Sequence, residues 1–433
     1  MKNKILLVLG ALSFMTMQAN AQPGDKLGDR VNFLENKTND LNKRIDSTSW
    51  RIKTLEKFKV SGYFQAQAEV GEIGAKTRTG TNGGRYDEVI DGKDADFFTR
   101  YGLRRSRIKF QYSEKFMKVA FGLDLSEKGV KFKEAYLQLD DPYLNMFSLK
   151  TGVIYVGFSD EVNYSSSKRE SPEHSLIVNK LIPDEKDLGT QLRITAPKNT
   201  FLDGLMLDLG LFSGNGIRVD DNSKMDFVAR LKYEKSISKI SFGLGASLYA
   251  GSVNNADSLL YTVKNGVWDG EKVESNKMNK RQYFSFDAQF AIKTIMGSTR
   301  LRGEYLFGYQ PSVLGDFASP ESNSYIPTAA FSYQRPFAGG YVYFMQDIYR
   351  TPLTLVVKYS YLDPNTEMKG SQIGNKADIA ISTIGFGGLW QINSALRLLA
   401  FYDINTNEKS ANLIGYDKDI KDNVFTLRLQ YKF

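Results

Sequence analysis

The sequence predicts an all-β fold: a transmembrane antiparallel β-barrel of about sixteen strands, preceded by a coiled-coil helix in the periplasm. From residue 57 onward, apolar and polar residues alternate in many short segments, and the links between segments alternate between short and long. Before residue 57, apolar residues recur at heptad spacing instead. We therefore expect a signal peptide at 1–21, a periplasmic neck at 22–56 and an outer-membrane barrel at 57–433.

The composition favours many short strands and excludes several kinds of site. Aromatic residues make up 13% of the chain, with 24 Tyr and 28 Phe, alongside 37 Gly and only 11 Pro. These levels suit strands joined by open turns. There is no cysteine and only one histidine, His174, so thiolate zinc sites and relays of several histidines are excluded. We predict no metal, no cofactor and no catalytic residue, hence no enzyme.

The first residues have the pattern of a secretory signal peptide. Lys2 and Lys4 precede an apolar run at 5–14 that is too short to span a membrane, and 19–21 is a small-x-small cleavage site. Cleavage there lowers the formal net charge from +8 to +6, because Lys2 and Lys4 are removed. The modest basic excess comes without a basic cluster interleaved with aromatics, so we predict no nucleic-acid binding. An uncleaved membrane anchor, the alternative, needs a longer apolar run.

A heptad repeat fills the neck over about four heptads. A strip this narrow suits helix partners better than a globular core, so we expect self-association. β-branched residues at a with Leu at d favour two strands, although the polar layers at Thr38 and Thr48 weaken that preference. The alternative is an isolated amphipathic helix on the barrel or the membrane. The apolar residues of this seam are Leu27, Val31, Leu34, Leu41, Ile45, Ile52 and Leu55.

The first alternating segment has the length and pattern of a barrel strand. Phe58, Val60 and Phe64 share one face, while Gln65 and Gln67 share the other. With fifteen further segments the total is about sixteen, an even number as a closed antiparallel barrel requires. The alternation is weakest in the segments near Gly152 and Tyr343. The further segments centre near Arg107, Val119, Leu137, Gly152, Arg193, Leu209, Ala229, Leu244, Phe286, Arg302, Tyr343, Val357, Gly385, Leu399 and Leu427.

The lengths of the links indicate the orientation of the barrel. Short links follow even-numbered segments, as at 113–115 and 297–298, and long polar links follow odd-numbered ones, as at 71–99 and 158–186. Outer-membrane barrels have short periplasmic turns and long extracellular loops. We therefore place the barrel in the outer membrane of a Gram-negative cell, in contact with lipid and lipopolysaccharide, with its neck in the periplasm.

The inward face is predicted to carry more bases than acids, about fifteen against eight by strict alternation. A positive wall in a water-filled pore concentrates anions. The alternative is that acids and bases pair across neighbouring strands and leave little net field. The bases that we expect to line the pore and attract anions are Arg105, Arg107, Lys109, Arg193, Arg230, Lys232, Arg300, Arg302, Lys358, Arg397 and Arg428.

Five short motifs occur in order along the first half of the barrel: YGLRRSRI at 101–108, FKEAYL at 132–137, KDLGTQL at 186–192, LGLFSGNG at 209–216 and FVARL at 227–231. With them the chain resembles the phosphate-selective porin O and P family, in a form like those of Bacteroidetes. The resemblance implies a sixteen-stranded, water-filled diffusion channel that assembles as a homotrimer, and so three necks rather than two. Phosphate selectivity does not transfer, because only 104–107 matches the family's arginine-rich constriction, with Arg105 and Arg107 facing inward by alternation.

The link at 158–186 is the candidate constriction. In sixteen-stranded porins the loop at this position folds inward and narrows the pore; a loop over the mouth or on a neighbouring subunit is the alternative. We expect passive diffusion of small hydrophilic solutes with a preference for anions, among them phosphate. A structural or adhesive barrel that tethers the envelope through its neck is the competing function. The predicted constriction residues are Lys168, Arg169, Glu170, Glu173 and Lys180.

Overall fold

The computed structural model of the chain divides into two units, Met1–Phe58 and Lys59–Phe433. The predicted signal peptide lies outside the residues that the structure describes, as does the side chain of Leu27. The described residues are 26–75, 97–126, 129–218, 223–255, 258–274, 277–318, 325–326 and 332–433.

The described residues of the first unit form a long helix, α1 (Lys26–Glu56), which covers most of the predicted neck. Its seam residues are largely exposed, with Val31 at 47%, Ile45 at 56% and Leu55 at 68% of full accessibility. Among the described residues of this unit, nothing covers the apolar strip, and association with other helices stays a prediction. Within the described part of the chain, no helix is both long and apolar enough to cross a membrane.

The second unit is a closed antiparallel β-barrel of sixteen strands, which confirms the predicted fold class. Three shorter strands, β10, β11 and β14, add pairings at the strand ends. The strands are β1 (Phe58–Glu72), β2 (Phe97–Glu114), β3 (Met117–Ser126), β4 (Gly129–Asp140), β5 (Phe147–Tyr155), β6 (Lys186–Thr195), β7 (Leu205–Phe212), β8 (Asp226–Ile237), β9 (Ile240–Asn255), β10 (Leu259–Lys264), β11 (Val267–Lys272), β12 (Met278–Thr294), β13 (Gly297–Ser312), β14 (Tyr325–Ile326), β15 (Ser332–Asp347), β16 (Leu353–Asp363), β17 (Ile381–Gln391), β18 (Leu396–Asn407) and β19 (Val424–Lys432).

Each barrel strand pairs with its neighbours along the chain, and β1 closes the barrel. β1 pairs with β19 from Tyr63↔Lys432 to Gly71↔Val424, and also with β2. Each of the sixteen predicted segment centres falls within a barrel strand. Among the described residues, closure leaves none of the sixteen barrel strands with an unpaired edge, as a membrane barrel requires.

The two faces of β1 differ as predicted. Gln65, Gln67 and Glu69 point inward and are fully buried, whereas Phe64 and Val70 point outward and are exposed. Side chains in a strand alternate between its two faces, so successive residues of a barrel strand face the lumen and the lipid in turn. On β15 this contrast is lost, because the inward Tyr341, Tyr343 and Met345 are themselves apolar or aromatic and buried. That is why the alternation is blurred near Tyr343.

The connections define two rims. The short-turn rim has links such as 115–116 and 295–296, and the long-loop rim has links such as 156–185 and 364–380. The long-loop rim also has one short link, since β3 ends at Ser126 and β4 begins at Gly129. Two 3-10 turns, Gly370–Gln372 and Lys376–Asp378, lie in the link between β16 and β17.

A hairpin in the link 256–277 was not predicted. β10 and β11 pair around Asn265 and Gly266, whose φ angles of 54° and 74° are those of a tight hairpin turn. Asn-Gly between two short apolar segments is a recognised hairpin signal, so the sequence did contain it. Val263 of this hairpin packs with Met368, Ile373 and Ile379 in a small apolar cluster at the long-loop rim.

Candidate functional site

The link between β5 and β6, residues 156–185, packs against the inner face of the barrel, and we call it the inward loop. It contains two short helices, α2 (Asp160–Asn163) and α3 (Leu176–Leu181). Ser159 caps α2, because its side chain accepts a hydrogen bond from the backbone N–H of Glu161. Most of its side chains are buried even though it is a connection between strands.

On one side the inward loop meets the wall through apolar side chains. Phe158, Val162 and Ile177 are fully buried in one cluster with inward-facing residues of β9 to β18, including Tyr283 and Phe337. The Phe158 ring lies 5.8 Å from the Tyr283 ring in an edge-on arrangement. This contact, the apolar seam, fills part of the lumen with a packed core where strict alternation predicts polar side chains.

On the other side the inward loop meets the wall through charges. Glu173 accepts hydrogen bonds from Arg104 at 2.7 and 2.8 Å, from Arg105 at 3.0 Å and from Arg428 at 2.8 Å. Burial raises the pKa of Glu173, but the charges of Arg104, Arg105 and Arg428 outweigh burial and hold that pKa well below its usual value. Three arginines around one carboxylate form the charged seam, which has an excess of positive charge.

Neutral polar groups extend the charged seam along β1, β2 and β19. The hydroxyl groups of Tyr63 and Ser166 share a hydrogen bond of 2.5 Å, and Arg107 donates to Ser166 Oγ at 3.0 Å. Gln430 donates to the carbonyl oxygen of Ser167 at 3.0 Å. These contacts join the inward loop to strands from both ends of the barrel sequence.

Other polar side chains of the loop reach β8, β13 and β15. Ser159 donates to Glu304 at 2.7 Å, and Tyr343 donates to Glu161 at 2.9 Å. Asp160 lies 3.2 Å from the Lys232 ammonium group. Because the loop is held on several sides, its position in the lumen is well determined by the fold.

His174 lies within the inward loop between two carboxylates and an arginine. Its Nε2 atom is 2.9 Å from Glu185 Oε1 and 2.5 Å from Arg169 Nη2, and its Nδ1 is 3.8 Å from Glu161. Burial and the Arg169 charge lower the pKa of His174, in spite of the two carboxylates. The imidazole is therefore neutral near pH 7.

Nine of the eleven predicted pore-lining bases form salt bridges with acids, as the paired-wall alternative supposed. Of the remaining two, Arg397 donates to the carbonyl oxygen of Arg169 at 3.1 Å, and the ammonium group of Lys358 lies 5.5 Å from the centre of the Tyr343 ring. The nine pairs are Arg105–Glu173, Arg107–Asp124, Lys109–Glu134, Arg193–Asp208, Arg230–Asp287, Lys232–Asp160, Arg300–Asp347, Arg302–Glu170 and Arg428–Glu173.

The five predicted constriction residues have different surroundings within the inward loop. Arg169 and Glu170 are buried, Arg169 beside His174 and Glu170 beside Arg302 at 3.1 Å. Glu173 lies at the charged seam, and Lys180 pairs with Asp316 at 3.0 Å. Lys168 is exposed.

Arg104 was missed by sequence reasoning. Strict alternation places Arg105 and Arg107 inward and leaves Arg104 on the opposite face, yet both Arg104 and Arg105 reach Glu173. The departure from alternation occurs within β2, and the sequence carries no local sign of it. The carboxylate that attracts both side chains is 69 residues further along the chain from Arg104.

Two cavities lie beside the inward loop. One, of about 490 Å³, opens toward the long-loop rim and is lined by Glu173 and Lys180 of the loop and by inward residues of β16 to β19. The other, of about 380 Å³, lies toward the short-turn rim and is lined by Glu170, Arg300 and Arg302 among others. The same loop therefore contributes side chains to a cavity near each rim.

Comparison with solved structures shows the same fold in known outer-membrane proteins. The chain is similar to OprB of Pseudomonas putida, with a TM-score of 0.54 and 8% identity over 90% of this chain and 97% of that one. It is similar to OmpF of Salmonella typhi, at 0.53 and 10%, and to the outer-membrane channel DcaP of Acinetobacter baumannii, at 0.51 and 13%, each over 87% of this chain and 97% of the other. No protein-family model and no curated protein matches the chain.

Proposed function

We propose that this protein is an outer-membrane porin that lets small hydrophilic solutes diffuse passively. The observation that carries the proposal is the inward loop, anchored to the wall of a closed barrel, with a cavity on the side of each rim. A loop held in this way narrows a pore without moving parts. One protein of the same fold is described as an outer-membrane channel, which agrees with the proposal.

The proposed channel has a weak preference for anions, phosphate among them. Seven of the predicted bases are paired with seven different acids, so their long-range field is small. The charged seam is the exception, because Arg104, Arg105 and Arg428 share the single carboxylate of Glu173. This local excess supports an anion preference of modest size and supplies no feature specific to phosphate.

Reconstitution of the full chain into planar bilayers tests both statements. We expect stable conductance and, under a salt gradient, a reversal potential displaced slightly toward the anion. A reversal potential displaced toward the cation contradicts the anion preference. Absence of conductance contradicts the porin and favours the structural barrel that tethers the envelope.

We also propose that α1 joins three copies of the chain through its exposed heptad seam, in the periplasm. The support is the exposure of Val31, Ile45 and Leu55, which a coiled coil would cover. Deletion of 27–55 should leave monomers or loosened trimers that still conduct, as measured by subunit mass and single-channel current. An intact trimer after this deletion would place the contacts between subunits in the barrel instead.

A further inference from the structure

The cavity near the long-loop rim has a wall of neutral polar groups. Ser360 of β16, Thr383 of β17 and Asn405 of β18 lie side by side, since Ser360 pairs with Thr383 and Thr383 with Asn405 in register. The Thr383 hydroxyl donates to Asn405 Oδ1 at 2.8 Å. Hydroxyl and amide groups of this kind both donate and accept hydrogen bonds. All three residues line the cavity.

The next row of the same wall carries one charge of each sign. Lys358 and Asp403 stand on either side of Gly385, to which both are paired in register. A Cβ atom on Gly385 would lie 2.6 Å from Asp403 Oδ1, so the glycine leaves room for the carboxylate. Because Lys358 and Asp403 have opposite charges, this row of the wall is polar but has no net charge.

Another part of the lining is apolar. Leu176 of the inward loop, Leu362 of β16 and Ile381 of β17 contribute aliphatic side chains, and Ile379 just before β17 adds a fourth. A cavity of about 490 Å³ that combines this aliphatic patch with polar and charged side chains has the size of small-molecule sites.

The charges of this cavity do not favour anions. Its described lining includes the carboxylates Glu69, Glu173, Asp316, Asp403 and Asp422, and three lysines. Glu173 is engaged by the arginines of the charged seam, and Asp316 by Lys180 at 3.0 Å. An inorganic anion entering from the long-loop rim therefore meets more carboxylates than ammonium groups before it reaches the charged seam.

From this lining we infer a binding site for neutral, hydroxyl-rich solutes, namely saccharides of one or two rings. Sugar hydroxyls match Ser360, Thr383 and Asn405, and the C–H faces of the ring match the aliphatic part of the lining. The inference deepens the proposed porin function, on which it rests, by naming the class of solute that pauses in this cavity.

Maltose, inorganic phosphate and choline are the probes, each added to the reconstituted full chain in a planar bilayer. We expect maltose to reduce the ion current at lower concentration than phosphate or choline does. Titration calorimetry of the detergent-solubilised protein with maltose needs no conductance, so it tests the site even if the porin proposal fails. Absence of maltose heat, or stronger block by phosphate or choline, overturns the inference.

Thr383→Val removes one hydroxyl of the polar wall while keeping a β-branched shape. Loss of a hydrogen bond should weaken maltose binding roughly threefold to tenfold. Thr151→Val is the matched control, because Thr151 is exposed on the outer face of β5, where it shares a hydrogen bond of 2.8 Å with Thr190. Equal maltose affinity in the two variants overturns the inference, and a loss confined to Thr383→Val supports it.

Discussion

The apolar seam and the charged seam hold the same loop to the same barrel by different physics. At the apolar seam, Phe158 and Ile177 are fully buried among aromatic residues of the wall, and their contribution depends on the area removed from water. At the charged seam, three arginines converge on Glu173 with defined distances. Hydrophobic burial at the apolar seam depends little on the orientation of the side chains or on salt concentration. The ion pairs at the charged seam depend on both.

This difference indicates that the apolar seam mainly stabilises the position of the loop, whereas the charged seam sets its exact placement and the local charge. Burial of large side chains supplies most of the free energy that keeps the inward loop in the lumen, since an ion pair offsets much of its attraction by desolvation. The charged seam fixes where the loop crosses the lumen and leaves positive charge there. We therefore expect substitutions at the apolar seam to act mainly on stability and those at the charged seam also on ion selectivity.

Phe158→Ala should have the largest effect. It removes a fully buried ring from the centre of the apolar seam, and such truncations lower the free energy of unfolding by about 3–5 kcal/mol. The loosened loop should also raise the single-channel conductance. Chemical denaturation in detergent and single-channel recording measure the two effects.

The control for this substitution is Phe201→Ala, at a position 89% exposed in the link between β6 and β7. We expect it to change the free energy of unfolding by no more than about 0.5 kcal/mol. Equal losses in the two variants would mean that the apolar seam does not hold the loop.

Glu173→Ala should rank second. It leaves Arg104, Arg105 and Arg428 close together without their shared carboxylate, which should cost about 3 kcal/mol of unfolding free energy, and less at high salt. The uncovered positive charge should displace the reversal potential further toward the anion. Both are measured on the reconstituted protein at low and high ionic strength.

Glu234→Ala is the matched control, because Glu234 pairs with Lys232 at 2.7 Å but its side chain is 54% exposed. Its removal should cost less than about 1 kcal/mol. If Glu173→Ala leaves both the free energy of unfolding and the reversal potential unchanged, the charged seam neither positions the loop nor affects ion selectivity.

A pH dependence should follow from His174, with an effect smaller than either substitution. Its pKa is lowered in the folded chain by burial and by Arg169, so the unfolded chain binds a proton first as the pH falls. The contribution of His174 to the free energy of unfolding is fully present above the pKa of the unfolded chain, about 6.5, and decreases as the pH falls below that value.

The measurement compares wild type with His174→Gln between pH 8 and pH 5. The variant should lose the part of the pH dependence that His174 causes. Parallel stability curves for the two proteins would show that His174 titrates normally.

The barrel could be predicted from the sequence because its signal is local and repeated. Alternation along β1 separates Gln65 and Gln67 from Phe64 and Val70 within a few residues, and the same signal recurs strand after strand. Where inward residues are apolar, as at Tyr343 and Met345, the period fades although the strand persists. A tightly packed lumen is thus the condition under which alternation fails.

The site was less predictable because its contacts connect distant parts of the chain. Tyr63 shares a hydrogen bond with Ser166, 103 residues away in the sequence, and Arg428 donates a hydrogen bond to Glu173, 255 residues away. Periodicity identifies which face a base occupies but not which acid neutralises it, so the anion preference expected from the eleven predicted bases stays a prediction. Arg104 shows the same limit, since a departure from alternation redirects it toward Glu173.

The smallest effect should come from Asp316→Asn, which removes the partner of Lys180. The two side chains are 3.0 Å apart but 52% and 26% exposed, so water and salt screen the pair and its contribution should be less than about 1 kcal/mol. Lys180 and Glu173 belong to the same loop, but the Lys180–Asp316 ion pair lines the cavity and is not part of either seam. A stability loss as large as that of Glu173→Ala would mean that charge–charge contacts hold the loop wherever they occur. The distinction between the two seams would then lie in selectivity alone.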